Sequence, residues 1–107
     1  MNGSDESPLL TILVEVDPPT LLVQLQGEID LSCVDLLDSI TSLNLKSVEQ
    51  VTLDLTALDF ADSSGADALV RLHDDLVATG RTVRLTGPRP IVRTVFELLG
   101  EGHVLVA

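Results

Sequence analysis

The sequence predicts an α/β domain: a mixed sheet of four to five strands, opened by a hairpin, with helices packed on it. Two strand-like runs stand near the start of the chain, separated by only three residues. After them, segments of helical apolar spacing alternate with short strand-like runs, in the order ββαβαβαβ. Strands that alternate with helices are typical of parallel βαβ units, so the later strands are expected to be parallel.

The opening hairpin comprises residues 9–16 and 20–27. The first run is almost wholly apolar and rich in β-branched side chains, and the second alternates two sets of side chains along its length. Between them stand Asp17, Pro18 and Pro19. Proline has no backbone N–H for a ladder and favours turns, so the two runs are predicted to pair as antiparallel strands.

The first helix is predicted over residues 32–44. Asp30 or Ser32 can cap its first turn. As the only cysteine of the chain, and one on an apolar helix face, Cys33 is interpreted as a core residue and not as a nucleophile. The apolar residues at helical spacing are Cys33, Leu36, Leu37, Ile40 and Leu43.

The second half of the chain continues the alternation of strand and helix. Gly80 is suited to end the second helix and Gly100 the third, while Pro90 suits a first helical turn. The predicted segments are strands over residues 51–55, 82–86 and 104–106 and helices over residues 63–79 and 90–99.

Composition limits the classes of function. The 107 residues carry 17 acidic against six basic side chains, a net charge of −11, and include no Trp or Tyr and only two Phe. Such a charge repels phosphate backbones and anionic lipids, and there is no aromatic platform on which bases could stack. Nucleic acid and membrane surfaces are therefore not expected as partners. The one locally basic stretch, around Arg89 and Arg93, is interpreted as a solvent-exposed helix start.

One domain is expected over residues 9–107, preceded by a polar, disordered tail over residues 1–8. Apolar residues make up 45% of the chain, enough for a core without a metal or a disulfide. No apolar run approaches the about 20 residues of a membrane span, the first residues do not resemble a signal peptide, and the lone cysteine fits a reducing compartment. We expect a cytoplasmic protein, monomeric by default and without a cofactor or metal.

The segment Asp62-Ser63-Ser64-Gly65, which we call the serine motif, lies between the third strand and the second helix. The first N–H groups of a helix have no intrahelical partner, so Asp62, Ser63 and Ser64 are all candidate caps. A glycine in a first turn costs up to roughly 1 kcal/mol relative to Ala, which suggests that another backbone approaches Gly65 closely or that its backbone angles are unusual. These residues by themselves predict an exposed hydroxyl that can be modified.

A second tetrapeptide, together with the serine motif, resembles a known family. Gly27-Glu28-Ile29-Asp30, which we call the upstream motif, begins 35 residues before Asp62. In order, spacing and placement on the ββαβαβαβ pattern, the two motifs are similar to those of the bacterial anti-sigma factor antagonists, the STAS-domain proteins. The resemblance covers about residues 9–106 and implies a STAS fold.

The resemblance implies a partner switch. In that family the unphosphorylated antagonist binds an anti-sigma factor, a serine kinase that otherwise holds a sigma factor inactive, and the sigma factor is released. The kinase phosphorylates one serine of the motif, which ends the binding, and a separate serine phosphatase restores it. The acceptor carries onto Ser64, with Ser63 as the alternative.

The resemblance also implies a docking surface around both motifs. Asp30 closes the upstream motif, and Asp62 stands beside the acceptor. Ala66 occupies a position where the family usually has a larger aliphatic residue, and Asp67 adds a charge to the first turn. The residues expected to contact the partner are Asp30, Asp62, Ser63, Ser64, Gly65, Ala66 and Asp67.

Two other functions deserve comparison with the partner switch. Asp30, Asp54, Asp59 and Asp62 are of the type that binds Mg²⁺, but Asp54 alternates inside a strand and the other three are ordinary turn and cap residues. No base can be identified beside Ser64, so no enzyme is expected. The remaining alternative is a STAS domain that serves as a fixed scaffold or subunit of a larger complex, without phosphorylation.

Overall fold

The structure is a computed structural model that describes residues 9–106, so the tail predicted over residues 1–8 lies outside the described residues. Short 3-10 segments cover Leu31–Cys33, Ser39–Ser42 and Gly102–Val104. The α-helices are α1 (Val34–Asp38), α2 (Ser63–Ala78) and α3 (Pro90–Leu98). The strands are β1 (Leu10–Asp17), β2 (Thr20–Ile29), β3 (Gln50–Ala61), β4 (Thr82–Thr86) and β5 (Leu105–Val106).

The five strands form one mixed sheet in the order β1-β2-β3-β4-β5. β1 pairs antiparallel with β2, and the pairs from β2 to β5 are all parallel. The predicted mixed sheet opened by a hairpin is therefore confirmed. Because each parallel connection joins neighbouring strands in the same direction, right-handed crossovers place the three α-helices on one face of the sheet.

The hydrophobic core lies between the sheet and the helices. On β2, the alternate residues Leu21, Val23 and Leu25 point into it and are fully buried, whereas the residues between them are partly exposed. Phe96 of α3 is also fully buried. Cys33 is 5% exposed, which confirms the prediction that it belongs to the core.

The prediction of one continuous helix over residues 32–44 is wrong. The chain forms a 3-10 turn, the five-residue α1 and a second 3-10 turn instead. The hydroxyls of Ser39 and Thr41 donate to the carbonyls three residues before them, those of Leu36 and Asp38, at 2.5 and 2.7 Å. Such side-chain bonds compete with the backbone bonds of an α-helix, and this segment closes in the tighter 3-10 geometry.

The change of helix type alters which side chains reach the core. A 3-10 helix has three residues per turn in place of 3.6, so positions spaced for an α-helix rotate away from one face. Leu37 and Ile40 are buried, but Leu36 and Leu43 are 41% and 40% exposed. Of the five residues predicted to form the apolar face of this helix, only Cys33, Leu37 and Ile40 are buried.

β3 extends to Ala61, six residues beyond its predicted end. Its pairing with β2 shifts register twice, first after Gln24 and again after Gly27. At each shift β3 contains one residue more than β2, which is the geometry of a β-bulge. A bulge interrupts the period of two, and for this reason the alternating pattern predicted that the strand ends at Leu55.

The other elements lie within two residues of their predicted bounds. α2 and α3 each end one residue earlier than predicted. β5 begins at Leu105 because Val104 belongs to a 3-10 turn, where its side chain is still buried. Within residues 9–106, no helix has both the length and the apolar character that crossing a bilayer requires.

The serine motif as candidate functional site

The serine motif begins where β2 and β3 end side by side. Ile29 of β2 and Ala61 of β3 are register partners, so Asp30 and Asp62 leave neighbouring parallel strands at equivalent positions. The backbone N–H of Asp62 donates to the Ile29 carbonyl at 3.1 Å and holds the two strand ends together. The upstream motif and the serine motif are therefore adjacent in the structure.

Asp62 is the N-cap of α2. Its backbone is extended, with φ −84° and ψ 179°, and its Oδ1 accepts a hydrogen bond from the Gly65 N–H at 2.7 Å. This bond satisfies one of the N–H groups that a helix leaves without an intrahelical partner. Of the three caps that the sequence allowed, Asp62 holds the position, and Ser63 and Ser64 are the first two residues of α2.

Gly65 is the point of closest contact between the two motifs. A Cβ atom at Gly65 would lie 2.5 Å from the Ile29 carbonyl oxygen and 2.8 Å from the Ile29 carbonyl carbon, and it would also overlap the Ile29 Cγ2. The close backbone approach that a glycine in a first helical turn suggested is confirmed. Its partner is the end of β2, so only glycine fits the present spacing of the two elements.

The residues expected to contact a partner differ in exposure. Gly65 and Ala66 belong to the first turn of α2 and are buried, while Asp67 is exposed. Ser63 is exposed and Ser64 is only partly exposed. A protein that approaches the serine motif therefore meets Ser63 and Asp67 first.

Asp30 caps the 3-10 turn that follows β2. Its Oδ1 accepts hydrogen bonds from the Ser32 hydroxyl and from the backbone N–H of Ser32, the latter at 2.9 Å. These bonds favour the ionised carboxylate, and the hydroxyl contributes most to lowering the pKa of Asp30. A negative charge is therefore fixed beside the serine motif at neutral pH.

The two bulges of β3 direct polar groups toward the loop before α3. Thr56 lies at the first bulge and Asp59 at the second. Arg89 donates from Nε to the Thr56 carbonyl at 3.0 Å and forms an ion pair with Asp59 through Nη1. Because the ion pair is exposed, it orients the loop more than it stabilises the fold. The start of α3 was predicted to be exposed to solvent. Through Arg89 it also contacts β3.

Asp54 has a structural role in the first bulge. Its Oδ1 accepts the backbone N–H and the hydroxyl of Thr56, at 2.9 and 2.8 Å. The Thr56 N–H contributes most to lowering the pKa of Asp54. In the part of the chain that the structure describes, no three acidic, His or Cys side chains form a group able to hold a metal ion.

Two exposed apolar side chains lie close in sequence to the strand-end aspartates Asp30 and Asp62, and they are missing from the residues that the sequence predicted for the site. Leu31 follows Asp30 and is 70% exposed, and Phe60 lies two residues before Asp62 and is 40% exposed. They belong to the twelve large apolar side chains that are exposed among the described residues, and they are the two nearest in sequence to Asp30 and Asp62. Their position within two residues of a strand-end aspartate is the signal that could have identified them.

The chain is similar to proteins of one family. The family model of the STAS domain matches residues 11–105. The anti-sigma factor antagonist SpoIIAA in its unphosphorylated form is 27% identical, over 90% of this chain and 86% of that chain, with a TM-score of 0.74. An anti-sigma factor antagonist from Mycobacterium paratuberculosis is 25% identical, over 92% of this chain and 86% of that chain, with a TM-score of 0.76.

A third similar structure represents a modified state. The Bacillus cell fate determinant SpoIIAA in the phosphorylated form is 26% identical, over 90% of this chain and 89% of that chain, with a TM-score of 0.67. A search of curated proteins found no match. The matches confirm the STAS fold that the resemblance implied.

Proposed function

The chain belongs to the STAS domain family, and we propose that it is an anti-sigma factor antagonist. The unphosphorylated protein binds an anti-sigma factor serine kinase, and the kinase releases its sigma factor. Phosphorylation of the serine motif ends the binding, and a serine phosphatase restores it. The protein works in the cytoplasm by binding, not by catalysis, and uses no cofactor.

The observation that carries the proposal is the fixed presentation of the serine motif. Asp62 caps the start of α2, and Gly65 rests against the Ile29 backbone, so the first helical turn is held from behind. Ser63 and Ser64 stand at that turn, with Ser63 exposed. A similar protein has been solved in both an unphosphorylated and a phosphorylated form, which supports a role for phosphorylation in this chain.

We expect the partner to contact a surface that is apolar at its centre and acidic around it. Leu31 and Phe60 supply exposed apolar area, a feature typical of the centre of protein interfaces. The carboxylates of Asp30 and Asp62 stand close to them in the sequence, and complementary charge on the partner would raise the rate and specificity of association. This docking surface comprises Asp30, Leu31, Phe60, Asp62, Ser63, Ser64 and Asp67.

The phosphorylation step follows ordinary kinase chemistry. The kinase transfers the γ-phosphoryl group of ATP to a serine Oγ, so the bond to ADP breaks, an O–P bond forms and the hydroxyl proton leaves. The product adds a charge of about −1.5 to −2 at pH 7 beside the carboxylates of Asp30 and Asp62. Inside a closed interface that charge would be repelled and stripped of water.

The fold should tolerate the same phosphate. The serine motif lies at the positive end of the α2 dipole, where a negative charge is favoured by about 0.3 to 1 kcal/mol at exposed sites. In the free protein the phosphate also remains in water. The modification therefore weakens docking and leaves the domain folded.

Two arguments about which serine accepts the phosphate favour different residues. The family resemblance carries the acceptor onto Ser64, whereas accessibility favours Ser63, which is exposed while Ser64 is partly buried. Incubation with the cognate kinase and ATP, followed by mass spectrometry of wild type, Ser63→Ala and Ser64→Ala, distinguishes them. The variant that gains no phosphate identifies the acceptor.

The test of the function is a capture experiment from the lysate of the native host. Wild type, an alanine variant of each serine and an aspartate variant of each serine serve as baits, and bound proteins are identified by mass. We expect wild type and the alanine variant of the acceptor to retain a serine kinase that the corresponding aspartate variant loses. Far-UV circular dichroism should show the same fold in all baits.

Two outcomes would contradict the proposal. If every bait holds the same protein and that protein is not a kinase, the chain is a STAS subunit without a phosphorylation switch. If the aspartate variants lose the native far-UV spectrum, the serine motif maintains the fold and a phosphate there could not act as a reversible signal.

A further inference from the structure

We propose that the outer edge of β1 pairs with β1 of a second copy of this chain, in a two-fold symmetric dimer with one continuous ten-stranded sheet. This inference does not depend on the proposed function, because it concerns the edge of the sheet and not the serine motif. It differs from the monomer that the sequence predicts by default, and the two are distinguished by the experiment below.

The first argument is the direction of the main-chain groups of β1. The Glu28 N–H donates to the Leu9 carbonyl at 3.0 Å, and the pairing of β1 with β2 continues without a shift to the hairpin turn. In an antiparallel pair, residues alternate between bonding to the neighbouring strand and pointing away from it. The N–H and C=O groups of Ile12, Val14 and Val16 therefore point outward, where no other strand of residues 9–106 meets them.

The second argument is the apolar character of this edge. On the helix side of β1, exposure rises from 1% at Leu10 to 43% at Val14 and 57% at Val16, because the helix layer covers only the start of the strand. On the other face Leu13 is 46% exposed. An edge strand that is long, uncharged at its centre and apolar is a template for another strand.

A second copy of β1 fits this edge by symmetry. In a two-fold antiparallel pair, a residue lies opposite one that faces the same side of the sheet, so odd-numbered positions meet odd ones and even meet even. With the axis at Leu13, each Ile12 lies opposite Val14 of the second copy, and their outward main-chain groups can bond. This places β-branched side chains together on the helix side and Leu13 beside its own copy on the other face.

The acidic side chains of β1 favour this register over the other central one, with the axis at Val14. With the axis at Leu13, Glu15 lies opposite Thr11 and Asp17 opposite Leu9, so no two carboxylates are neighbours across the pair. With the axis at Val14, Glu15 would be the diagonal neighbour of its own copy. The net charge of −11 on each chain still opposes association, so added salt should strengthen the dimer.

The dimer would leave the docking surface accessible. β2 lies between the free edge of β1 and the ends of β3 and α2, where the serine motif is placed. Each copy would present its own serine motif, and a variant that cannot dimerise should still bind the partner.

Sedimentation velocity of the full chain tests the proposal. We expect twice the monomer mass of 11.4 kDa at high concentration and a larger dimer fraction at higher salt. Leu13→Lys should abolish the dimer, whereas Val77→Lys should not, because Val77 is similarly exposed, at 45%, but lies on α2. A wild type that stays monomeric up to about 1 mM subunit, the weak limit of specific association, would overturn the proposal.

Two further variants keep the test specific to the strand edge. Val14→Pro removes an outward N–H and no bond to β2, so it should give a monomer with a native far-UV spectrum. Leu13→Cys should form a disulfide between copies under mild oxidation, because residues opposite each other in a non-hydrogen-bonded pair have Cβ atoms about 4.5 Å apart. A dimer that survives Leu13→Lys and Val14→Pro uses another surface and contradicts the proposal.

Discussion

The two strand ends that build the site begin alike and continue differently. At each, an aspartate follows the last pair of the ladder and accepts an N–H from the next turn, Asp30 from Ser32 and Asp62 from Gly65. After Asp30 the chain forms only five residues of α-helix between two 3-10 turns, whereas after Asp62 it forms the sixteen-residue α2.

The difference teaches that a cap starts a helix but does not determine its length. The turn after Asp62 packs its Gly65 against Ile29, and α2 then buries an apolar face against the sheet. The turn after Asp30 leaves Leu31 exposed, and later hydroxyls bond back to the chain. Packing of an apolar face supplies most of the stability of helices in proteins, and only the second segment has such a face in full.

The strongest test of this comparison is Gly65→Ala. The added methyl group would overlap the Ile29 backbone, so we expect a loss of about 2 to 3 kcal/mol in the free energy of unfolding, measured with urea. Gly80→Ala is the matched control, because a Cβ there has no neighbour within 4 Å and only the φ of +90° opposes it. We expect the control to cost about 1 kcal/mol. Equal losses in the two variants would show that the Ile29 contact is not rigid.

The second test concerns the cap of α2. Asp62→Ala removes the acceptor of the Gly65 N–H and should cost about 1 kcal/mol in urea unfolding. Asp62→Asn keeps an acceptor of the same geometry, so it should lower the free energy of unfolding by only a few tenths of the loss in Asp62→Ala. If the two variants are equally destabilised, the charge of Asp62 matters more than its hydrogen bond.

The smallest expected effect concerns the charge of Asp30, and it depends on pH. The pKa of Asp30 is lowered from its ordinary value of 3.8 in the folded protein, so its ionised form stabilises the fold above pH 3.8, and this contribution is lost as the pH falls through the folded pKa. Asp30→Asn should therefore be slightly less stable than wild type near neutral pH and equal to it in acid. A difference that grows toward low pH would contradict this assignment.

The sequence predicted the fold well because most of its elements are local patterns. The order ββαβαβαβ, the hairpin at Pro18 and Pro19 and the start of α2 all follow from spacing and turn residues. The last six residues of β3 could not be predicted, since two bulges break the alternation and are visible only in the pairing with β2. The failure of the first helix has a similar cause, because hydroxyl bonds of Ser39 and Thr41 compete with helix formation in a way that apolar spacing does not report.

The candidate site could be predicted in part. A glycine is unfavourable in a first helical turn, so Gly65 predicted that another part of the backbone lies close to it. That this part is Ile29 is known only from the structure. Burial of Ala66 and the exposure of Leu31 and Phe60 depend on how the strand ends meet, which no local pattern contains. The assignment of the phosphate acceptor and of the docking surface stays a prediction.

The contact between Gly65 and Ile29 also bears on protein engineering. A designer who transplants the serine motif to another scaffold, as a strand end followed by a helix, would carry the two serines but not the backbone that supports them. The transferable unit is larger: it includes the end of β2, the bulged β3 and the first turn of α2. A host scaffold must offer two neighbouring parallel strands that end in register, and this requirement limits the proteins to which the serine motif can be added.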